Sequence, residues 1–241
     1  MSPSPAGWPN HARRWPGPLG NVSDMTSTMI GSGLYDASEV ALIVGLMPDQ
    51  VVRWTTDSAQ GDAPVVPTFD RLYSFADLVA LTVAGQIRHN VSDRHLRRGV
   101  SELRKRFGFD NPLAVDEVLE RLATCGDSFL LRRSGDEFDD IGRGGQGTFR
   151  EVVALDLKRI EFDDRGGPAR WRPIDGVVID PRIQAGAPCV AGTRVPTAVI
   201  GSRLVSEAPD DIAFDLGLSL AAIDAAAQFE ELLASGAGIP A

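Results

Sequence analysis

"LYDASEVALIVGLMPDQVVRWTTD", residues 34–57, is the stretch that decides the fold of the amino-terminal part of the chain. Asp36 or Ser38 can cap a helix here, and Glu39 follows Asp36 by three residues, as in a capping box. An apolar run follows, and Gly45 stands where a glycine commonly ends a helix. The pattern predicts one short amphipathic helix that stops at a glycine turn.

A second helix restarts at Pro48, because proline suits the first helical turn, where its missing N–H is not needed. We predict a buried side made of apolar residues: Val51, Val52 and Trp54. The exposed side then carries three candidate DNA-contacting residues: Asp49, Gln50 and Arg53. Two short helices about a glycine turn are a helix-turn-helix candidate, and an ordinary helical hairpin is the alternative.

The segment that follows predicts a short strand at Val65–Val66, where a small wing would lie, and then two helices capped by Ser74 and Ser92. From Arg88 to Arg106 seven Arg or Lys face two acids, a local charge of +5 in a chain of net charge −9. Such a basic helix is typical of phosphate-backbone contacts, and a solvated charged face is the alternative. The candidate phosphate-contacting residues are Arg88, Arg94, His95, Arg97, Arg98, Arg104, Lys105 and Arg106.

Over about residues 34–110 this order of elements resembles a MerR-type helix-turn-helix. The resemblance is carried by the glycine turn, a second helix ending in Arg53-Trp54, the wing, and a Phe-x-Asp-Leu helix that begins at Phe75. It implies binding to operator DNA as a homodimer on an inverted repeat. MerR regulators continue into a long dimerising coiled coil, and no heptad run follows here, which argues against sensing of that type.

The middle of the chain, residues 111–175, predicts a linker helix within "NPLAVDEVLERLA" and then a small β-hairpin element. The expected strands are Phe129–Leu131, Val152–Leu157, Ile160–Phe162 and Ala169–Trp171. Between them "GRGGQG", Gly142–Gly147, is spelled like a dinucleotide-binding loop. It lacks the preceding strand and following helix that this mechanism needs, so we interpret it as a mobile loop.

Chemistry-bearing clusters are scarce, and we expect no enzyme activity, no cofactor and no metal site. Four carboxylates could hold Mg²⁺, although a solvated acidic loop is the preferred interpretation: Asp136, Glu137, Asp139 and Asp140. The two cysteines, Cys125 and Cys189, lack the partners of a zinc site or a disulfide framework and suggest buried thiols in a reducing cytosol. No signal-peptide core or membrane span is visible, so a cytoplasmic protein is expected.

The carboxy-terminal part, residues 176–236, predicts a short strand at "VVID", an extended "PCVAGTR" and three helices. Pro196 suits the first turn of the first helix, and the second begins at Pro209 with two acids that favour its amino terminus. Gly217 ends that helix and Ser219 caps the third. The third helix should bury Leu220, Ile223, Ala226, Ala227 and Phe229.

This part resembles the small domain of uncharacterised function found in VapB-like antitoxins. The matching positions are Asp180-Pro181, Ile183, Gly186, Pro188, Val190, Gly192-Thr193-Arg194-Val195-Pro196, Leu218-Ser219 and Ile223. The resemblance implies a helix-turn-helix-like fold in which the signature is structural, with Arg194 tied to a carboxylate such as Asp180 or one in the second helix. The third helix carries no Arg or Lys, so dimerisation or a protein partner suits it better than DNA.

Together the two resemblances predict an α+β, mainly helical protein: a disordered arm (1–32), a MerR-like winged domain (33–110), a linker helix with a small β element (111–175) and a three-helix module (176–236). They imply a type II antitoxin that neutralises a PIN-type ribonuclease encoded by the neighbouring gene and represses its own operon. Candidate toxin-binding residues are Arg132, Arg133 and Arg143. The alternative is a stand-alone MerR-like regulator with a small-molecule effector.

Overall fold

The computed structural model describes residues 31–135, 137–144, 146–147, 153–154 and 159–236. Nearly all of the predicted arm (1–32) lies outside these residues, as does Asp136 of the acidic segment. The fold is α+β, as predicted, with helices on either side of small antiparallel sheets in chain order.

Four helices form the amino-terminal part, which we call the head: α1 (Ala37–Val44), α2 (Pro48–Trp54), α3 (Phe75–Arg88) and α4 (Asp93–Phe107). The predicted capping box of α1 is present, since the Asp36 carboxylate accepts from the Glu39 N–H while Glu39 accepts from the Asp36 N–H. Gly45 ends α1 at a φ of 73°, which favours glycine. Ser74 and Ser92 cap α3 and α4, as their positions predicted.

Two details of the head differ from prediction. Val65–Val66 is not a strand: the Val65 N–H donates to the Trp54 carbonyl, and the Asn111 side chain bonds both backbone groups of Val66. These backbone groups are therefore satisfied without a sheet partner. Val52 is 50% exposed rather than buried, because α2 turns only Val51 and Trp54 towards the core.

The middle contains a 3₁₀ turn (Pro112–Ala114), a short α5 (Asp116–Leu119) and a five-stranded antiparallel sheet in the order β4-β3-β2-β1-β5. Its strands are β1 (Leu122–Cys125), β2 (Ser128–Ser134), β3 (Glu137–Asp140), β4 (Gln146–Gly147) and β5 (Val153–Ala154). The predicted linker helix is wrong beyond α5, because Leu122 pairs with Leu131 in the sheet. The predicted acidic loop is also wrong, since it supplies β3, whose Phe138 is buried.

A second hairpin and the carboxy-terminal module, which we call the tail, complete the fold. The elements are β6 (Ile160–Phe162), β7 (Pro168–Trp171), β8 (Val177–Val178), a 3₁₀ turn (Gln184–Gly186), β9 (Cys189–Val190), α6 (Thr197–Leu204), α7 (Pro209–Leu216) and α8 (Leu220–Ser235). Gly217 ends α7 and Ser219 caps α8, as expected. Leu220 is 45% exposed rather than buried, because the buried stripe of α8 begins one turn later at Ile223.

Head and tail share one hydrophobic core. Val40 of α1, Trp171 of β7 and Phe229 of α8 belong to the same buried cluster, while a smaller cluster lies within the tail around Ile200 and Ile212. Backbone pairing also joins the two parts, since the Leu34 N–H donates to the Ala185 carbonyl at 2.9 Å. Within the described ranges no single helix is long and apolar enough to cross a membrane; only the bent pair α7–α8, taken together, has the length and composition.

Candidate nucleic-acid interface

Helix α4 is held against the sheet by a close contact at Gly99. A Cβ atom at this position would lie 2.3 Å from the Phe129 Cδ1, so any larger residue would clash with the ring. Leu96, Val100 and Leu103 on the same side of the helix are fully buried. This packing fixes the opposite side of α4 in solvent.

Three cations occupy that opposite side: Arg94, Arg98 and Lys105, which we call the basic stripe. All three are exposed, and at 3.6 residues per turn they fall within about 40° of one another around the helix. Their span of eleven residues corresponds to about 16 Å along the axis. None of their three side chains forms a hydrogen bond or ion pair with another residue in the part of the chain that the structure describes. The stripe is therefore available to an anionic partner.

The basic stripe borders a cleft of about 920 Å³ between α4, the loop at Gln60–Asp62 and the carboxy-terminal end of β3 with the turn that follows it. Carboxylates line it too, but their charge is largely taken up within the fold. Asp139 binds Arg106 at 2.6 Å and Arg133 at 2.5 Å. Burial alone raises the pKa of Asp139, yet the hydrogen bonds from these two guanidinium groups outweigh it and lower the pKa below its ordinary range.

Arg97 is not part of this surface, and the prediction that it contacts DNA is wrong. It is 1% exposed, and its Nη1 donates to the carbonyls of Thr56, Gly61 and Asp62 at 3.0–3.2 Å. Its Nη2 donates to the Arg53 carbonyl at 2.6 Å. The buried guanidinium thus ties α4 to the end of α2 and to the loop that follows it, because it donates to four backbone carbonyls there.

Arg104, another predicted phosphate contact, is also engaged by the backbone of the fold. It is half-buried, and it donates to the carbonyls of Asp110 at 2.7 Å and Pro64 at 3.0 Å. The burial that accompanies these two hydrogen bonds lowers the pKa of Arg104. His95 is half-buried, with its Nδ1 buried and unpartnered among the described residues, so this nitrogen does not reach a phosphate.

Arg88 and Arg106 reach solvent, but each already has anionic or carbonyl partners. Arg88 donates to the Val91 carbonyl at 3.1 Å and lies 3.4 Å from Asp93. Arg106 binds Asp139 and also Glu102 at 2.8 Å. Of the positive charge that the sequence places on residues 88–106, the part without anionic or carbonyl partners among the described residues therefore lies on the basic stripe.

The predicted recognition surface of α2 carries little positive charge. Asp49 and Arg53 are exposed, while Gln50 is half-buried and accepts from the Met47 N–H at 3.0 Å. Arg53 lies 4.0 Å from Asp93, whose carboxylate also accepts from the Trp54 indole. The unpaired positive charge at this end of the fold therefore lies on α4 rather than on α2.

The three arginines predicted to bind a toxin lie on the sheet and its following turn. Arg132 and Arg133 belong to β2; Arg132 lies over the Phe138 ring, 5.6 Å from its centroid, and Arg133 binds Asp139. Arg143 forms an ion pair with Asp127. All three are exposed, and their contact with a toxin stays a prediction.

The tail signature builds two local structures, the first around Asp180. This carboxylate is 2% exposed and is bound by Arg182 at 2.9 Å and Arg170 at 3.2 Å. Burial alone raises its pKa, but the hydrogen bonds from the two arginines lower the pKa to about 2. Arg194 is exposed and does not reach Asp180, so the predicted tie between them is wrong: Arg170 and Arg182 occupy that carboxylate.

The second structure is the corner before α6. Gly192 adopts a φ of 78°, and the Thr193 hydroxyl donates to the Val190 carbonyl and accepts from the Val195 N–H. Pro188 accepts from the Thr197 N–H, and Pro196 is the residue before the first helical turn. Pro181 is buried, and Gly186 lies against the head at Tyr35. The signature residues thus shape the backbone, apart from the exposed side chain of Arg194.

Residues 177–229 match the family described as "Protein of unknown function (DUF433)". This match covers less than a quarter of the chain. The crystal structure of Rv2018 from Mycobacterium tuberculosis is similar in fold, with a TM-score of 0.56 and 19% identity over 80% of this chain and 96% of that chain. No protein of curated function matches the sequence.

Proposed function

We propose that this chain is an antitoxin that binds operator DNA through the head, as a homodimer, and neutralises a PIN-type ribonuclease encoded by the neighbouring gene. The observation that carries the DNA-binding half is the basic stripe of Arg94, Arg98 and Lys105 beside a two-helix unit. The antitoxin half rests on the resemblance of the tail signature to VapB-like antitoxins, and the MerR-like assignment of the head rests on its sequence pattern.

The placement of the basic stripe supports a role in phosphate contacts. Arg97 holds the end of α2 and the loop after it against α4, so the stripe and the exposed face of α2 are joined through hydrogen bonds. Phosphates attract exposed cations without regard to sequence, while residues on a neighbouring helix can reach base edges. In this proposal α4 supplies affinity, and Asp49 and Arg53 of α2 lie where sequence would be read.

Salt dependence tests the DNA-binding half. Binding of the full chain to its own promoter DNA should weaken as salt rises, because each neutralised phosphate releases counterions. Replacing Arg94, Arg98 and Lys105 with Ala should reduce the slope of log Kd against log salt by about 3, since each contact contributes about 0.9. Fluorescence anisotropy of labelled promoter DNA at about 50 to 300 mM KCl measures this slope.

A charge-matched control keeps this test specific. Arg132, Arg159 and Arg165 are exposed outside the stripe, so their replacement with Ala removes the same charge from another surface. The control variant should retain the wild-type slope within about 1 unit. Equal slopes for wild type and the stripe variant would show that DNA, if bound at all, is held elsewhere.

Complex formation tests the antitoxin half. The full chain co-expressed with the neighbouring gene product should purify as a stable complex, and adding the chain should inhibit RNA cleavage by that product. Failure of both would remove the antitoxin assignment and leave DNA binding to stand alone.

The cleft beside the basic stripe favours a second candidate, a stand-alone regulator with a small-molecule effector. Its volume of about 920 Å³ lies in the range of small-molecule pockets. An effector would have to change promoter affinity in the absence of any toxin. Promoter binding that responds to the neighbouring protein and not to metabolite extracts separates the two candidates.

A further inference from the structure

Two large apolar side chains of the tail lie almost entirely in solvent. Among the described residues, Phe214 of α7 is 88% exposed and Val205, directly after α6, is 87% exposed, whereas the next large apolar side chain, Met47, is 67% exposed. Single exposed aliphatics are common, but two nearly bare apolar side chains on one helical hairpin mark an interaction surface.

Helix α7 shows why Phe214 points outward. It packs on α6 and α8 through Ile212 and Ala213, which are buried. At about 100° per residue Phe214 falls on the opposite side of the helix, with Asp210 and Asp211 one turn before it. We call Asp210, Asp211, Phe214 and Asp215 the α7 face.

The α7 face is acidic. Asp215 is paired with Arg203 at 2.7 Å, and the same guanidinium binds Glu207. The carboxylates of Asp210 and Asp211 are exposed and have no cationic partner within the described ranges. The exposed aromatic ring is therefore flanked by two carboxylates, Asp210 and Asp211, whose charge is not compensated within the described ranges.

This charge excludes two occupants. DNA phosphates would be repelled by the unpaired carboxylates. A second copy related by a two-fold axis would place the α7 face against itself and bring like charges together, which opposes association. The occupant that fits is a protein with an apolar pocket and a rim of Lys or Arg, because it satisfies both the ring and the carboxylates.

We propose that the α7 face is the docking surface for such a basic protein partner, with Phe214 as the anchor in its apolar pocket. The proposal rests on the antitoxin function proposed above and moves the principal toxin contact from Arg132, Arg133 and Arg143 to the tail. Aromatic anchors dominate the binding energy of interfaces, while surrounding charges set the association rate.

Titration of the full-length chain with the purified neighbouring gene product tests this surface. Phe214→Ala should raise Kd by about 30-fold or more, as for a central aromatic anchor. The double variant Asp210→Lys, Asp211→Lys should lower the association rate by about 10-fold at low salt and flatten its salt dependence. Leu42→Ala removes a 46% exposed side chain from the head and should leave Kd within about 2-fold.

The outcomes separate this proposal from the function on which it rests. A wild-type complex that Phe214→Ala leaves unchanged overturns the α7 face and retains the antitoxin. A larger loss from Arg132→Ala, Arg133→Ala and Arg143→Ala than from Phe214→Ala overturns it as well. If light scattering shows that Phe214→Ala converts a dimer of the free chain into a monomer with Kd unchanged, the face belongs to a second copy. No complex with wild type overturns both.

Discussion

Two helix pairs about a left-handed glycine occur near the two ends of the described chain: α1–α2 around Gly45 and α7–α8 around Gly217. Both glycines have a φ near 70°, at 73° and 63°, and both pairs bury short apolar stripes. Their surroundings differ in charge, since the head borders a basic stripe and the tail presents an acidic face with an exposed aromatic ring. Similar local geometry therefore supports two surfaces suited to different partners.

The difference comes from residues that folding does not require. Caps and glycines determine where each helix begins and ends, but Arg94 and Arg98 in the head and Asp210 and Phe214 in the tail make no described side-chain hydrogen bond. Each part also contains a buried ionic side chain that ties elements of the fold together, such as Arg97 in the head and Asp180 in the tail. The contrast between head and tail can therefore be tested by separating charges that stabilise from charges that bind.

The largest expected effect is at Arg97. Arg97→Met should destabilise the protein by about 3 kcal/mol, because it leaves four backbone carbonyls without charge-assisted donors. The adjacent Arg98→Met should change stability by less than about 0.5 kcal/mol, since Arg98 is exposed. Urea unfolding at pH 7 measures both free energies of unfolding.

DNA binding should rank these two variants in the opposite order. Arg98→Met should reduce the salt slope by about 0.9, while Arg97→Met, assayed where it is folded, should keep the wild-type slope. A stable Arg97→Met variant with a reduced slope would show that the buried guanidinium acts on DNA after all.

A smaller effect is expected at Asp180 in the tail, and it depends on pH. The carboxyl has an ordinary pKa of 3.8 and a pKa of about 2 in the fold, so its ion pairs stabilise fully above about pH 4 and are lost as the pH falls towards 2. Asp180→Asn should therefore cost on the order of 2 kcal/mol at pH 7, and the difference from wild type should shrink steadily as the pH falls from about 4 through about 2.

Urea unfolding at pH 7, 4 and 2.5 measures this difference in the free energy of unfolding. Asp139 and Glu161 also have lowered pKa values, but they titrate in both proteins and therefore cancel in the difference. Asp175→Asn serves as the control, because that side chain is fully exposed and its ion pair with Arg159, at 3.5 Å, should contribute little to stability. A cost for Asp180→Asn that persists unchanged at pH 2.5 would mean that the amide disrupts packing rather than an ion pair.

Local signals predicted much of the architecture. The capping box of α1, the serine caps of α3, α4 and α8, the glycine ends of α1 and α7, and strands such as β2 and β7 depend on residues that are close together in the chain. The linker helix failed because Leu122 and Ala123 suit either period, and pairing with β2 decides between them. Val65–Val66 has strand composition, but the Asn111 side chain, 45 residues later, satisfies the Val66 backbone.

The sequence shows that α4 is basic, but it does not show which of its cations are buried and bonded to the backbone. The carbonyl cage of Arg97 is built from residues 53–62, and only the folded loop brings them together. One signal was available: Arg97 and Arg104 are seven residues apart and flank the stripe of Leu96, Val100 and Leu103 on the helix. Cations at the edge of an apolar stripe are candidates for burial, whereas the basic stripe lies opposite it.

The smallest expected effect is at the junction of head and tail. The buried Tyr35 hydroxyl donates to the Gly186 carbonyl at 2.8 Å. A Cβ at Gly186 would lie 2.2 Å from the tyrosine hydroxyl oxygen, so only glycine leaves room for Tyr35 here. Tyr35→Phe should cost about 1 kcal/mol, because the carbonyl loses its buried donor. Tyr73→Phe is the matched control, since its hydroxyl bonds Thr55 within the head. Hydrogen exchange should show faster opening at Leu34 in Tyr35→Phe and not in Tyr73→Phe, because only the first loosens the backbone pair that joins head to tail. Unchanged exchange at Leu34 in both would mean that the shared core, rather than this hydrogen bond, holds the two surfaces together.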